Sequence, residues 1–532
     1  RVTVFYDMFN RTGKAIIDNT NTFLFFVLAG VIVCKGLDHI AMIQRFPQNS
    51  AALHLSYAVP YSILPVGFGL VILRLCQRLY KSLREFGVLS ALTGLVLAFA
   101  ILAPLFFYED WESAPVVLLV YFLFFLAFST PVAVSIACSC LAVIWACDTI
   151  PSDYVAQITY TSIDNSAIMA IPFFIATGVF MGEGGLSSRL LKLADAFLGD
   201  KTGGLALATI ATCMFFAAIS GSGPATVAAI GCITIPAMVE RGYSRTFSVA
   251  IVTCAGIIGV MIPPSNPLLI YGISSQQSIA KLFAGGVVPG LLCGGALMLV
   301  AWWISRKNNW RGTTMAGARE RARAFVEARW ALMVPVIILG GIYGGFVTPT
   351  EAGVLDVFYA FIVELFSRSL TLGKCRAILC RTLNTLGMFF LILITANALG
   401  ILMLYLNIQE SLIAGMRGLT TNPQVFLAIM IVFFLFIGTF LEATAIILIL
   451  TPLLVPVVTS YGLNPVHFGV VMIICTCIGL LTPPMGTNLF VGSSISDVPV
   501  ITLAREILPF VFAMIISAFV VAYVPWLALA LI

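Results

Sequence analysis

The chain has 532 residues, 60% hydrophobic and only 10% charged, with 28 basic and 23 acidic side chains and a formal net charge of +5. An ordinary soluble domain carries about 25% charged residues, so a water-soluble body is excluded, and a mean hydropathy of +1.07 points to lipid as the solvent. The slight basic excess is what the loops of a membrane protein produce, and no nucleic acid is needed to explain it.

Apolar runs separated by charged loops mark the expected spans. The first are Phe23–Ile43, interrupted by Lys35 and Asp38, then Tyr57–Leu75 and Val88–Phe107. Val116–Ser129 and Val132–Ala146 meet at Thr130-Pro131, and Ile168–Met181 follows. Two short pieces, Leu205–Ile219 and Ala225–Val239, join through Ser220–Pro224; Ser248–Ile262 then leads into Pro263-Pro264, and Leu282–Ile304 follows. The second half reads Ala331–Val347, Gly353–Leu365, Leu386–Leu406, Val425–Leu441, Ala443–Val458, Phe468–Leu481 and Leu503–Leu531. Three basic clusters, Arg74–Arg84, Arg306–Arg329 and Arg368–Arg381, are expected on the cytoplasmic side, and the Lys- and Arg-free stretches Tyr108–Glu112 and Asp148–Asn165 outside. The crossings agree with these sides when each pair of short pieces is a re-entrant hairpin.

A shift of 220 residues superposes Gly259-Val-Met-Ile-Pro-Pro264 on Gly479-Leu-Leu-Thr-Pro-Pro484, with Pro236 on Pro456, Gly242 on Gly462, Gly272 on Gly492 and Ser274 on Ser494. Thr130-Pro131 meets Thr348-Pro349 at a shift of 218. The turn after the first hairpin carries Arg241 and Arg245, whereas its counterpart Thr459–Val466 has no Lys or Arg. The two hairpins therefore enter from opposite sides, and inverted repeats with interrupted helices are a mark of secondary transporters with a site near the midplane. The fold expected is an all-α polytopic membrane protein built as an inverted repeat with two re-entrant helical hairpins and broken helices.

Broken backbone inside a membrane is tolerated only where protein buries it or it lines a cavity. Four breaks are expected, at Ser220–Pro224, Pro263–Pro267, Leu441–Thr444 and Pro483–Asn488. Freed carbonyls and hydroxyls suit Na+, and exposed helix N-termini suit an anion. Around the breaks stand Ser220, Ser222, Thr226, Ser265, Asn266, Thr444, Thr487 and Asn488. Single hydroxyls in membrane helices commonly bond back to their own backbone, but an unpaired amide is costly in lipid. Glu442, the sole acid at a tip, has two ways to be satisfied: capping the tip's amides or holding a cation. Glu351, in Thr348-Pro-Thr-Glu351, has capping-box spacing. The 13 cysteines include no Cys-x-x-Cys pair and the three histidines are scattered, which argues against disulfides and zinc.

Gly221-Ser-Gly-Pro-Ala-Thr-Val-Ala-Ala-Ile-Gly231, Ile262-Pro-Pro-Ser-Asn-Pro-Leu-Leu-Ile-Tyr-Gly272, Gly341–Ala352, Phe440-Leu-Glu-Ala-Thr444 and Leu481-Thr-Pro-Pro-Met-Gly-Thr-Asn-Leu-Phe490 together resemble the large membrane subunit of TRAP (tripartite ATP-independent periplasmic) transporters of the dicarboxylate-permease type. The likeness covers about 114–532, and Leu64–Arg74 within 1–85 resembles the second half of the small membrane subunit. The expected division is 1–85 partial small subunit, 86–113 connector helix and periplasmic loop, 114–304 first repeat, 305–329 cytoplasmic basic loop and 330–532 second repeat. The chain begins with Arg1 rather than Met and carries two of the small subunit's four helices, so a longer natural product is expected.

The resemblance implies an elevator-type Na+ symporter in a bacterial inner membrane, importing a small organic anion (a C4-dicarboxylate, keto acid or sugar acid) delivered by a periplasmic substrate-binding protein. It implies Na+ contacts from Ser220, Gly221, Gly223, Pro263 and Ser265 at one pair of breaks, and from Glu442, Thr444, Pro483, Gly486 and Thr487 at the other. Ser222, Thr226, Asn266, Thr444 and Asn488 are the expected substrate contacts. The rivals are a stand-alone Na+- or H+-coupled anion symporter and an intramembrane hydrolase using Ser220 or Ser222. The hydrolase lacks any nearby histidine or lysine to activate a serine, and no phosphate-binding loop argues for ATP coupling.

Overall fold

In lipid each segment must close its own backbone hydrogen bonds, and helices do so without a partner strand. A computed structural model describes residues 6–50, 54–103, 114–147, 154–164, 167–183, 186–312, 316–366, 371–484 and 486–532, and these are helical apart from turns and one isolated bridge between Asn49 and Ser56. Eight helices among the described residues are long and apolar enough to cross a membrane, and eleven if each sharply bent pair counts as one span. The chain is thus an all-α polytopic membrane protein. It divides into two compact bodies, one of Arg1–Asn165 with Phe389–Leu412, the other of Ser166–Met388 with Ile413–Ile532.

The first body contains α1 (Arg11–Arg45), α2 (Ala58–Tyr61), α3 (Ile63–Leu102), α4 (Ala114–Ala127), α5 (Val132–Cys147) and α6 (Tyr154–Thr161). Leu24, Ala98, Phe125, Val134 and Cys138 share one core, so the N-terminal helices are packed with α4 and α5. Asn21 on α1 accepts from the Thr130 hydroxyl at 2.6 Å, which satisfies an amide at the α4–α5 corner. The expected loop between the second and third spans is instead helix. Arg, Lys and Leu are good helix formers, so α3 runs through Arg74–Arg84 and changes direction only at Gly87, whose φ is +80°.

The second body holds α7 (Ala170–Glu183), α8 (Leu186–Leu198), α9 (Gly204–Ser220), α10 (Gly223–Glu240), α11 (Arg245–Ala255), α12 (Ile258–Met261), α13 (Asn266–Ser275), α14 (Ile279–Lys307), α15 (Ala318–Tyr343) and α16 (Pro349–Phe366). After α17 (Leu372–Tyr405) and α18 (Ile408–Leu419), which the two bodies divide, come α19 (Pro423–Gly438), α20 (Ala443–Ser460), α21 (Pro465–Gly479), α22 (Thr487–Ser496), α23 (Val500–Glu506), α24 (Leu508–Tyr523) and α25 (Trp526–Leu529). Both expected hairpins are present as α9–α10 and α19–α20, and both broken helices as α11–α13 and α21–α22. The broken helices are the innermost segments, with every residue from Val466 to Gly479 buried, as befits helices apolar all round.

Packing follows the repeat in a crossed manner. The second arm of the first hairpin, α10, lies against α22, and the second arm of the other hairpin, α20, lies against α13. Each repeat therefore covers the other's broken helix. Thr348 and Glu351 form the reciprocal cap expected of them: the Thr348 amide donates to the Glu351 carboxylate at 2.8 Å and the Glu351 amide to the Thr348 hydroxyl at 3.3 Å.

Two departures from expectation are local. The basic loop placed at 305–329 is largely helix, because α14 reaches Lys307 and the Ala-, Arg- and Glu-rich stretch starts α15 at Ala318. Two amphipathic helices were not anticipated as elements, α8 before the first hairpin and α18 before the second. The chain bends by 72° between α7 and α8 and by 112° between α18 and α19. Their one-sided apolar patterns, rather than their length, are the signal that marks them, and such helices suit a membrane interface.

At the base of the second hairpin tip two backbones touch. A Cβ on Gly479 would fall 2.5 Å from the Gly438 backbone, which no rotamer change relieves. Gly479→Ala is expected to destabilise the protein by about 1–3 kcal/mol, the usual scale of overpacking, read as a lower midpoint of thermal unfolding. An unchanged midpoint would show that the two helices separate freely.

Candidate functional site

The first hairpin reverses in two residues, Gly221 and Ser222. Gly221 has φ +59°, a conformation costly to residues with a Cβ. The Ser220 hydroxyl bridges the turn: it accepts from the Ser222 amide at 3.3 Å and lies 3.2 Å from both the Ser222 carbonyl and the Thr226 hydroxyl. Thr226 in turn donates to the Ser222 carbonyl at 2.9 Å. Ser220 and Thr226 are buried, so the tip is a small closed knot of hydroxyls. From behind, α7 presses on it, since a Cβ on Gly178 would lie 2.8 Å from the Ser220 Cα and carbonyl oxygen.

Both broken helices restart beside this tip. α11 ends at Ala255, one turn of α12 follows, and the cis Pro263-Pro264 bond leads to Ser265, the N-cap of α13. The Ser265 hydroxyl donates to the Val260 carbonyl and accepts from the Leu268 amide at 3.3 Å. Asn266 then faces Gly221, whose added Cβ would stand 2.9 Å from the Asn266 Nδ2. On the other repeat, Pro483-Pro484 is also cis and Gly486 precedes α22. Asn488 there is fully buried and faces Gly223, whose Cβ would stand 2.9 Å from both of its amide heteroatoms.

The N-termini of α10, α13 and α22 thus meet at Gly221–Gly223. Each carries a partial positive charge there, although the Leu268 amide is capped by Ser265 and the Asn488 amide donates to the Leu480 carbonyl at 3.3 Å, and two carboxamides stand among them. Asn488 Nδ2 donates to the Thr253 carbonyl at 3.4 Å, while Asn488 Oδ1 and the Thr253 hydroxyl are buried without a hydrogen-bond partner. The cluster can accept an anion at the helix ends and offers hydroxyl and amide oxygens to a small cation.

The second hairpin is different. Thr439–Glu442 form a four-residue tip, and Glu442 occupies the N-cap position of α20 but makes no capping hydrogen bond through its side chain. Among the described residues no side-chain hydrogen bond joins Glu442 or Thr444 to Pro483–Asn488; the Thr482 hydroxyl donates back to the end of α21, to the Gly479 carbonyl at 2.9 Å.

Of the residues singled out in the sequence, Ser220, Gly221, Ser222, Gly223, Thr226, Asn266 and Asn488 are brought together. Pro263 and Ser265 shape the restart of α13, and Pro483, Gly486 and Thr487 the restart of α22, while Glu442 and Thr444 mark a separate tip. Thr253 and Gly178 were missed. Neither carries a local signal, since Thr253 meets Asn488 across 235 residues and Gly178 is one glycine within an apolar helix.

The sequence matches the family profile described as the tripartite ATP-independent periplasmic transporter, DctM component, over residues 119–527, and that of the DctQ component over 1–85. It is 49% identical over 94% of its length to the isethionate TRAP transporter permease protein DctMQ of Oleidesulfovibrio alaskensis, covering 79% of that protein. It is 36% identical, over 75% of its length and 94% of theirs, to the C4-dicarboxylate TRAP transporter large permease protein DctM of Rhodobacter capsulatus and to the sialic acid TRAP transporter large permease protein SiaM of Vibrio cholerae. Its fold is similar to the crystal structure of the Alcanivorax borkumensis YdaH transporter, with a TM-score of 0.50 at 16% identity over 70% of this chain and 88% of that one.

Gly221→Ala tests the first tip. A non-glycine residue in the left-handed region costs about 1–2 kcal/mol, so amide exchange of the tip is expected to speed up roughly 5–30-fold. Exchange at the wild-type rate would mean that the turn relaxes to another conformation.

Proposed function

The chain belongs to the tripartite ATP-independent periplasmic transporters, carrying both membrane components in one polypeptide, and on that premise we propose that it imports a small organic anion together with Na+. As a member it is a multi-pass protein of a bacterial inner membrane and a secondary transporter that works with a periplasmic substrate-binding protein on small organic acids. The observation that carries the proposal is the meeting of three helix N-termini and two carboxamides at Gly221–Gly223. Aligned helix ends favour negative charge, and the substrates named for the relatives (isethionate, C4-dicarboxylates, sialic acid) are all anions. The substrate class is therefore a small carboxylate or sulfonate, with Ser222, Thr226, Asn266 and Asn488 as its contacts at this cluster and Thr444 as a contact from the second tip.

Na+ is assigned to the oxygens around Ser220, Gly221, Gly223, Pro263 and Ser265 and, at the other pair of breaks, around Glu442, Thr444, Pro483, Gly486 and Thr487. An inward positive charge gains roughly 2.3 kcal/mol per 100 mV, so Na+ in excess of substrate charge drives accumulation. The two hairpins with their broken helices form the moving part of an elevator, and 86–113, of which 104–113 lie outside the described residues, serves as the connector between the two fused components.

The test is uptake of labelled isethionate and C4-dicarboxylates into proteoliposomes holding the purified protein, with and without an inward Na+ gradient and the cognate binding protein. Uptake requiring both is expected, and Asn488→Ala is expected to lower it at least tenfold. Uptake with Na+ alone would make the chain a stand-alone symporter. Uptake driven by a pH gradient without Na+, and lost in Glu442→Gln, would replace sodium by protons.

A further inference from the structure

The eighteen residues of α16 carry three acids, Glu351, Asp356 and Glu364. Glu351 caps the helix, but Asp356 lies two turns in, roughly 10 Å along the axis at 1.5 Å per residue, and is 1% exposed. It sits where α16 packs on α7, facing the Thr177 hydroxyl. Neither carboxylate oxygen of Asp356 has a hydrogen-bond partner, and neither does the Thr177 hydroxyl, so three buried oxygens confront one another. α7 has no titratable residue before Glu183 at its end. On α15, the other helix packed on α16, the six charged residues lie between Arg319 and Arg329 at its start, and Tyr343 at its end. On α16 itself Tyr359 is the nearby titratable group, and its hydroxyl donates to the Trp330 carbonyl at 2.9 Å. No ion pair reaches Asp356 among the described residues.

A buried charge without a partner is not sustained. Two side chains supply fewer oxygens than a dehydrated Na+ coordinates, and the carbonyls of the two helices are committed to their own ladders. One proton resolves the arrangement, since the Thr177 hydroxyl can donate to only one carboxylate oxygen and leaves the charge in place, whereas a proton on Asp356 removes it. We propose that Asp356 is a proton-binding site, held as the neutral acid and donating to the Thr177 hydroxyl, and that its proton keeps α7 seated beneath the first hairpin tip. Thr177 adjoins Gly178, the residue pressed against Ser220. Loss of the proton leaves a carboxylate that draws water between α7 and α16 and unseats this support. The site is distinct from the ion and anion contacts assigned above, and only its effect on uptake rests on the transport reading.

Infrared spectroscopy of the purified protein tests the proton directly. The carbonyl stretch of a hydrogen-bonded neutral carboxyl is expected at neutral pH, absent in Asp356→Asn, and shifted to higher frequency in Thr177→Val, which keeps the acid but removes its acceptor. A spectrum that neither variant changes overturns the proposal, whatever the protein transports. In proteoliposomes, wild-type uptake is expected to fall at least threefold as pH is raised from about 6 to about 9, while Asp356→Asn, which mimics the neutral acid, stays level. Parallel profiles for the two proteins would refute the link to the hairpin.

Discussion

Interrupting a helix inside lipid exposes amides and carbonyls that water cannot reach, and each must be met by protein. Here one break covers another. The tip between α9 and α10 is received by the restarted ends of α13 and α22, and the surface it offers them is backbone, because Gly221 and Gly223 lack the Cβ that would strike the Asn266 and Asn488 side chains. The approach in turn fixes what surrounds it. α7 supports the tip through another glycine, Gly178, and the broken helices lie wholly within the second body. Close backbone approach, more than any single polar side chain, places three positive helix ends at one point.

The inverted repeat explains how such a cluster is stable. Each hairpin covers the other repeat's broken helix, α10 on α22 and α20 on α13, and the Thr253 carbonyl of the first repeat receives the Asn488 side chain of the second. The symmetry is of packing, not of chemistry. The first tip is two residues long and lined by hydroxyls, whereas the second is four residues long and presents Glu442. The membrane-interface side of the first repeat adds a charged tie, with Arg241 at the base of the hairpin donating twice to Asp195 of α8, at 3.0 and 2.8 Å. That tie binds an amphipathic helix to the hairpin it precedes, an arrangement suited to segments that move together.

Much of this was legible before any coordinates. Hydropathy required a membrane, the proline pairs and glycines announced both broken helices, and the register between Gly259–Pro264 and Gly479–Pro484 revealed the repeat. The Thr348–Glu351 cap followed from spacing alone because capping is local. The helical state of Arg74–Arg84 was not legible, since a cluster of arginines reads equally well as loop or as helix, and the break between the two arms of α3 lies at Gly87.

The sequence by itself determined the solvent, the number of breaks and the residue types at each, because these depend on composition and on neighbours within a few positions. Only the tertiary structure decided which breaks meet. That Asn488 lies against Gly223 and the Thr253 carbonyl, and Asn266 against Gly221, results from packing across more than 200 residues in one case and about 45 in the other. The same holds for Asp356, which in sequence is one acid among three on a helix and becomes a buried, unpaired carboxyl only because α7 closes over it. Long-range contacts of this kind are set by the summed shape of many apolar side chains, and no local pattern encodes them.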